Sequence, residues 1–215
     1  MKRTLAQAVP GIALVCLGII LLVANLGLLG GFALVWPLFF ACLGAVFLAV
    51  FLEAPANWWA AIPGLALLGL AGLMGLEAMA HPLAEKWGGS LFLAAIGLGF
   101  CLVYLARREE WWAIIPSGAL FTLAAVAGLE ETLPGEGAGA VFFLGLGLTF
   151  VLVRFLPGPE NRRWALYPAS FLILAGLALG FGFFRLFDYF WPALLIFMGL
   201  FLILREKRRG KGSER

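Results

Sequence analysis

The chain has 215 residues, 63% of them apolar and 13% charged, with 28 Gly, 20 Phe and 8 Trp. Soluble domains run nearer 45–50% apolar and about 25% charged, so this composition leaves too little polar surface to cover a water-soluble globule. A soluble enzyme, a nucleic-acid binder and a disordered chain are excluded first; the net charge of +3 does not restore the second, because the cations fall between apolar runs and gather in the final "REKRRGKGSER".

A membrane-crossing helix needs about 20 apolar residues for a hydrocarbon core of about 30 Å. Runs free of Asp, Glu, Lys, Arg and His predict eight crossings in chain order: Gln7 to Leu29, Phe32 to Leu52, Trp58 to Leu76, Gly88 to Ala106, Trp111 to Leu129, Gly137 to Val153, Trp164 to Phe184 and Tyr189 to Leu204. The first has a basic start and a long apolar run like a signal peptide. Val15 ahead of Cys16 does not fit a lipoprotein signal, and the segment reads as a retained first crossing. Cys16, Cys42 and Cys101 are scattered in apolar runs and read as small buried hydrophobes rather than a disulfide framework.

Internal repetition is the stronger signal. "WWAAIPGLALLGLAGLMGLE" from Trp58 parallels "WWAIIPSGALFTLAAVAGLEE" from Trp111 and "WALYPASFLILAGLALGFG" from Trp164. Pro10, Pro63, Pro116 and Pro168 recur at intervals of 53, 53 and 52 residues, each followed by a small residue: Gly11, Gly64, Ser117 and Ala169. Gly44, Gly97, Gly147 and Gly199 recur in the second helix of each pair. The expected fold is therefore all-α and membrane-embedded. Its eight transmembrane helices form four two-helix hairpin repeats of about 53 residues, at 1–57, 58–110, 111–163 and 164–205, followed by a basic tail at 206–215. Two crossings per unit return the chain to its starting side, so the repeats are parallel. A closed bundle and a row of hairpins both satisfy this; the bundle is the expected form, because it lets the small-residue faces close on one another.

Orientation follows from Lys and Arg. With the N-terminus inside, 13 of the 15 cations lie on the inner side and only Lys86 and Arg185 outside. Both termini are thus expected to be cytoplasmic. Trp58, Trp59, Trp111, Trp112 and Trp164 then anchor the inner interface, and Trp36, Trp87 and Trp191 the outer one. Arg107, Arg108, Arg162, Arg163, Arg205, Lys207, Arg208 and Arg209 are expected to contact anionic lipid headgroups. The repeat prolines lie near helix starts, where a missing N–H costs little.

Chemistry-bearing residues are sparse. The middle of every predicted crossing lacks a charge, which removes the usual parts of a proton-coupled transporter. Asn25, Ser117, Thr122, Thr149 and Ser170 do not recur as a ring that would line a pore. His81, the one histidine, precedes Pro82 in a predicted outer loop near Glu85 and Ser90, and reads as part of an ordinary polar loop. The outer acids read as solvated charges. No catalytic group, metal site or cofactor is expected.

The first unit, "PGIALVCLGIILLVANLGLLGGFALVWPLFFACLGAVFLAVF", resembles the paired-helix region of bacterial LiaI/LiaF-like envelope-stress proteins. The resemblance lies in Pro10, Gly11, Gly18, Asn25, Leu26, Gly27, Trp36, Pro37 and Gly44, and more loosely in Pro168, Gly176, Trp191, Pro192 and Gly199. It covers under half the chain, and units two and three lack the Trp-Pro step. The resemblance implies a bacterial cytoplasmic-membrane protein that senses or modulates envelope state through helix contacts with other membrane proteins. Independently of it, the expected partners are the lipid bilayer, anionic lipids, and other membrane proteins or further copies of the chain, and nucleic acid is not among them. A transporter or lipid-handling protein with an apolar cavity between hairpins is the alternative.

Overall fold

The computed structural model describes residues 5–26, 32–129, 132, 136–157, 161–181, 192, 194–199 and 201. The described residues are mostly helical, joined by short turns, with no strand among them. Seven helices follow in order: α1 Leu5–Asn25, α2 Val35–Glu53, α3 Ala61–Met79, α4 His81–Ala106, α5 Ile114–Gly128, α6 Glu136–Phe155 and α7 Leu166–Gly180. Residues 194–199 are also helical. Counting the 3-10 turns that lead into them, six helices are long and apolar enough to cross a membrane, spanning Val35–Glu53, Ala56–Met79, His81–Ala106, Trp111–Gly128, Gly137–Phe155 and Arg162–Gly180. Half of the predicted eighth crossing, Tyr189 to Leu204, lies outside the described residues.

The helix starts have a common construction. Short 3-10 turns at Pro55–Ala60, Trp111–Ala113 and Arg162–Ala165 run directly into α3, α5 and α7. Pro63, Pro116 and Pro168 are each the third residue of the α-helix that follows. At that depth the absent N–H is among the first-turn donors that have no intrahelical acceptor, so proline fixes φ without breaking a bond. Pro10 lies deeper, at the sixth residue of α1.

One boundary departs from expectation. The segment predicted as an outer loop around His81 is the first part of α4, which begins at His81 and follows α3 after the single residue Ala80. Pro82 occupies the first turn of α4. Hydropathy alone delayed the predicted start to Gly88, because Glu85 and Lys86 interrupt the apolar run; proline at the start of a helix is the local signal that extends it.

Among the described residues, every extensive helix–helix contact joins neighbours in sequence, α1 to α2 and onward to α7. Among α1 to α7 the packing thus runs from one helix to the next, and the closing contact that the expected bundle needs involves residues after Phe181, most of which lie outside the described residues. The basis of the packing between neighbours is visible on α4. Ideal Cβ atoms on Gly88 and Gly99 would meet Leu73 and Ile62 of α3, whereas one on Gly97 would meet Leu120 of α5. Residues 97 and 99 are two apart on a helix of 3.6 residues per turn, so they face opposite ways. Small residues on opposite faces let one helix pack closely against both of its sequence neighbours.

Candidate functional site

The recurring small residues meet between units. An ideal Cβ on Gly44 of α2 would sit 2.8 Å from the Gly64 carbonyl oxygen of α3. On Gly97 of α4 it would sit 3.3 Å from the Ser117 oxygen of α5, and on Gly147 of α6 it would sit 3.3 Å from the Ala169 oxygen of α7. In each seam the glycine of a second helix therefore touches the residue following the proline of the next first helix. Backbones approach this closely only where side chains are absent or small, and in a bilayer the gain comes from van der Waals packing rather than water release.

The same register continues along the seams. Ala60, Ala113 and Ala165, each three residues before its proline, are fully buried. Val50, Val103 and Val153, each six residues after the seam glycine, are the largest fully buried side chains. Two hydroxyls add cross-helix bonds between α4 and α5: Ser117 Oγ donates to the Gly97 carbonyl at 2.9 Å and Ser90 Oγ to the Ala124 carbonyl at 2.7 Å.

Aromatic rings close one end of each seam. Phe47 meets Trp59 at 6.2 Å between ring centroids, Phe100 meets Trp112 at 6.2 Å and Phe150 meets Trp164 at 6.3 Å, all edge to face. Trp58 also meets Trp112, and Trp111 meets Trp164. The five tryptophans predicted to share an interface thus lie at one end of the row. Trp59, Trp112 and Trp164 keep about two-fifths of their surface exposed, as an interfacial indole does. Trp36 and Trp87 are exposed as well, and Trp191 lies outside the described residues.

The basic residues at this end divide by role. Arg162, expected to reach lipid headgroups, is instead 4% exposed. Its Nη1 donates to the carbonyls of Leu156 at 3.0 Å and Pro157 at 3.4 Å, and its guanidinium lies 5.0 Å from the Trp111 ring centre. Carbonyls at a helix C-terminus have no intrahelical donor, and a cation there satisfies them. Arg107 pairs with Glu109 and Glu110. Arg108 is exposed and stacks over Tyr104 at 4.9 Å, and Arg163 is exposed. Arg205, Lys207, Arg208 and Arg209 lie outside the described residues.

At the first and last units the small residues are not covered. Gly11 and Gly18 of α1 and Gly199 have nothing within 4 Å of an added Cβ. The Pro10 side chain lies outside what the structure describes.

Three further features were missed or misread from sequence. Cys16 of α1 and Cys42 of α2 form a disulfide, with Cα atoms 6.7 Å apart, correcting their reading as separate thiols; Cys101 is free. Their spacing of 26 residues carries no motif, and only the antiparallel hairpin brings them level. Thr122 and Thr149 make a reciprocal clasp between α5 and α6. Each bonds the glycine carbonyl four residues earlier, Gly118 and Gly145, and each side chain occupies the space a Cβ would need on the other helix's glycine. Beside the clasp lies an open apolar groove of about 540 Å³, lined by residues including Phe121, Ala125, Leu148 and Leu152. It lies within one hairpin rather than between hairpins, the location considered from sequence.

His81 approaches only Glu77, at 4.0 Å, and both side chains are largely exposed. Ser90 Oγ donates to the Ala124 carbonyl, and among the described residues no hydrogen bond or ion pair joins His81 with Glu85 or Ser90. Among the described residues no group of three or more His, Cys, Asp or Glu is placed to hold a metal. The chain matches no known family model, and no characterised protein or solved structure is detectably similar to it.

Proposed function

We propose that the protein is a non-enzymatic multi-pass scaffold of the bacterial cytoplasmic membrane, acting by helix contact within an envelope-regulating system of the LiaI/LiaF-like kind. In this reading four hairpin repeats give eight crossings, with both termini cytoplasmic. Its partners are anionic lipid and other membrane proteins, and it uses no cofactor.

The observation that carries the proposal is the recurrence of one seam. Gly44 with Gly64, Gly97 with Ser117 and Gly147 with Ala169 repeat the same backbone approach, while large apolar side chains such as Leu14, Leu52 and Phe171 point outward. An apolar exterior suits lipid, and a modular row of like seams suits assembly. The exposed Arg108 and Arg163 beside the tryptophan end supply headgroup contacts at about 1 kcal/mol per cation.

Crosslinking in native membranes, followed by purification through a C-terminal tag, tests the reading. The expected result is one envelope membrane protein recovered in near-stoichiometric amount. Recovery of this chain with lipid alone would overturn it.

The groove between α5 and α6 favours a second reading, binding of a single lipid acyl chain. Its volume falls in the range of small-ligand sites, and its lining offers only apolar contact and the two threonines. Ala125→Trp fills the groove from an exposed position. Loss of a lipid co-purifying with the wild type would support this reading, and equal lipid retention would remove it.

A further inference from the structure

We infer that the chain assembles head to tail with second copies of itself, the Gly199 face of one docking on the Gly11–Gly18 face of α1 in the next. The inference rests on the four-hairpin reading and names one partner of the scaffold.

The argument begins with the three internal seams. Each first helix of a unit presents the residue after its proline, plus a larger residue about one turn later, to the glycine of the preceding second helix. Leu68, Leu120 with Phe121, and Ile173 fill the latter role, each within 3.5 Å of where a Cβ on Gly44, Gly97 or Gly147 would stand. Ala124 and Gly176 extend the α5 and α7 faces one turn further, toward Ser90 and Ala140.

α1 carries the same face, uncovered among the described residues. Gly11 corresponds to Gly64, Ser117 and Ala169, Gly18 corresponds to Ala124 and Gly176, and Val15 corresponds to Leu68 and Ile173. Gly11 and Gly18 meet nothing, and Val15 is 60% exposed. The complementary face is uncovered at the other end. Gly199 corresponds to Gly44, Gly97 and Gly147, also meets nothing, and is flanked by Ile196 and Phe197, at 70% and 75% exposed. A row of repeats therefore ends in two unlike edges, each the partner that the other kind meets three times inside the chain.

Repeat arrays normally blunt their ends with altered terminal units. Here the first and fourth units keep the seam residues Gly11, Gly18 and Gly199, and an interface between these unlike edges continues the array from copy to copy. Such a heterologous contact closes into a ring where the rotation permits and otherwise extends. Closure of one chain on itself is the competing occupant. Among the described residues Gly11, Gly18 and Gly199 have no covering atom, and the crosslinks below separate closure from assembly.

The test uses full-length chains in which Cys16, Cys42 and Cys101 are replaced by Ala. Two differently tagged variants, Gly11→Cys and Gly199→Cys, are co-expressed and oxidised in native membranes. Each chain then has one thiol, so no intramolecular bond can form. The expected result is a covalent dimer carrying both tags, and none when either variant is expressed alone. Absence of the mixed dimer, with a double variant that crosslinks only within one chain, would overturn the inference in favour of closure. Absence of both products would overturn it outright.

A Gly44→Cys, Gly64→Cys chain serves as the internal control. Its crosslinking shows that the seam reading holds even where assembly fails. Gly18→Trp supplies a second readout: it meets no neighbour in the chain, so the expected result is a shift to monomers in mild detergent with unchanged helix content. Unchanged oligomer size would contradict the inference.

Discussion

Gly64 and Gly11 both follow a repeat proline, yet they experience different surroundings. A Cβ on Gly64 would stand 3.0 Å from Leu48 Cδ2 and 3.2 Å from the Leu48 backbone nitrogen, whereas one on Gly11 meets nothing. Overpacking a close seam costs about 1–3 kcal/mol, and exposed substitutions usually stay within about 0.5 kcal/mol. Gly64→Leu should therefore lower the unfolding midpoint in dilute micelles, and Gly11→Leu should leave it in place; equal effects would contradict the seam. Ser117 tests the hydroxyl rather than the space. Ser117→Ala removes the 2.9 Å bond to Gly97 and should cost about 0.6 kcal/mol, the usual size of such bonds between membrane helices. The last seam already carries Ala169 at this position, which limits the expected loss.

At the scale of the element, the link between α6 and α7 depends on Arg162. The guanidinium satisfies the Leu156 and Pro157 carbonyls where α6 ends and lies over Trp111, in the 3-10 turn that leads into α5. Hydrogen bonds to charged groups contribute about 1.5–3 kcal/mol, so Arg162→Ala should destabilise the fold by about 2 kcal/mol while Arg163→Ala remains near neutral. Unfolding followed by tryptophan fluorescence reads both; similar losses would deny Arg162 its structural role. This division was not legible in the sequence, where Arg162 and Arg163 are adjacent cations beside a tryptophan. The start of α4 was similarly hidden, since hydropathy registers Glu85 and Lys86 but gives no weight to Pro82. The small seam residues were legible, because close backbone approach requires absent or short side chains at fixed spacing and that spacing survives in the chain. Which seam residue would meet which was not stated by the spacing; the antiparallel pairing of α2 with α3, α4 with α5 and α6 with α7 decides it.

For the whole molecule, composition made the helical, membrane-compatible character plain, whereas the arrangement of helices depends on a subtler distinction. Glycines on one face and glycines on two opposite faces produce similar composition and similar repeats. The assignment of Gly97 to α5 and Gly99 to α3 places α4 between its two sequence neighbours. The Cys16–Cys42 pair belongs to the same category, set by the level at which two antiparallel helices pass. The central claim is that successive units cross a membrane in the same direction, with the tryptophan end on one side. Single cysteines at Ala56, Glu109 and Asn161, and at Glu85 and Thr132, in a chain otherwise lacking cysteine, test it through a membrane-impermeant maleimide applied to intact cells. The account predicts labelling at Glu85 and Thr132 in intact cells, and at Ala56, Glu109 and Asn161 only after permeabilisation. Labelling of Ala56 and Glu109 from opposite sides would contradict it.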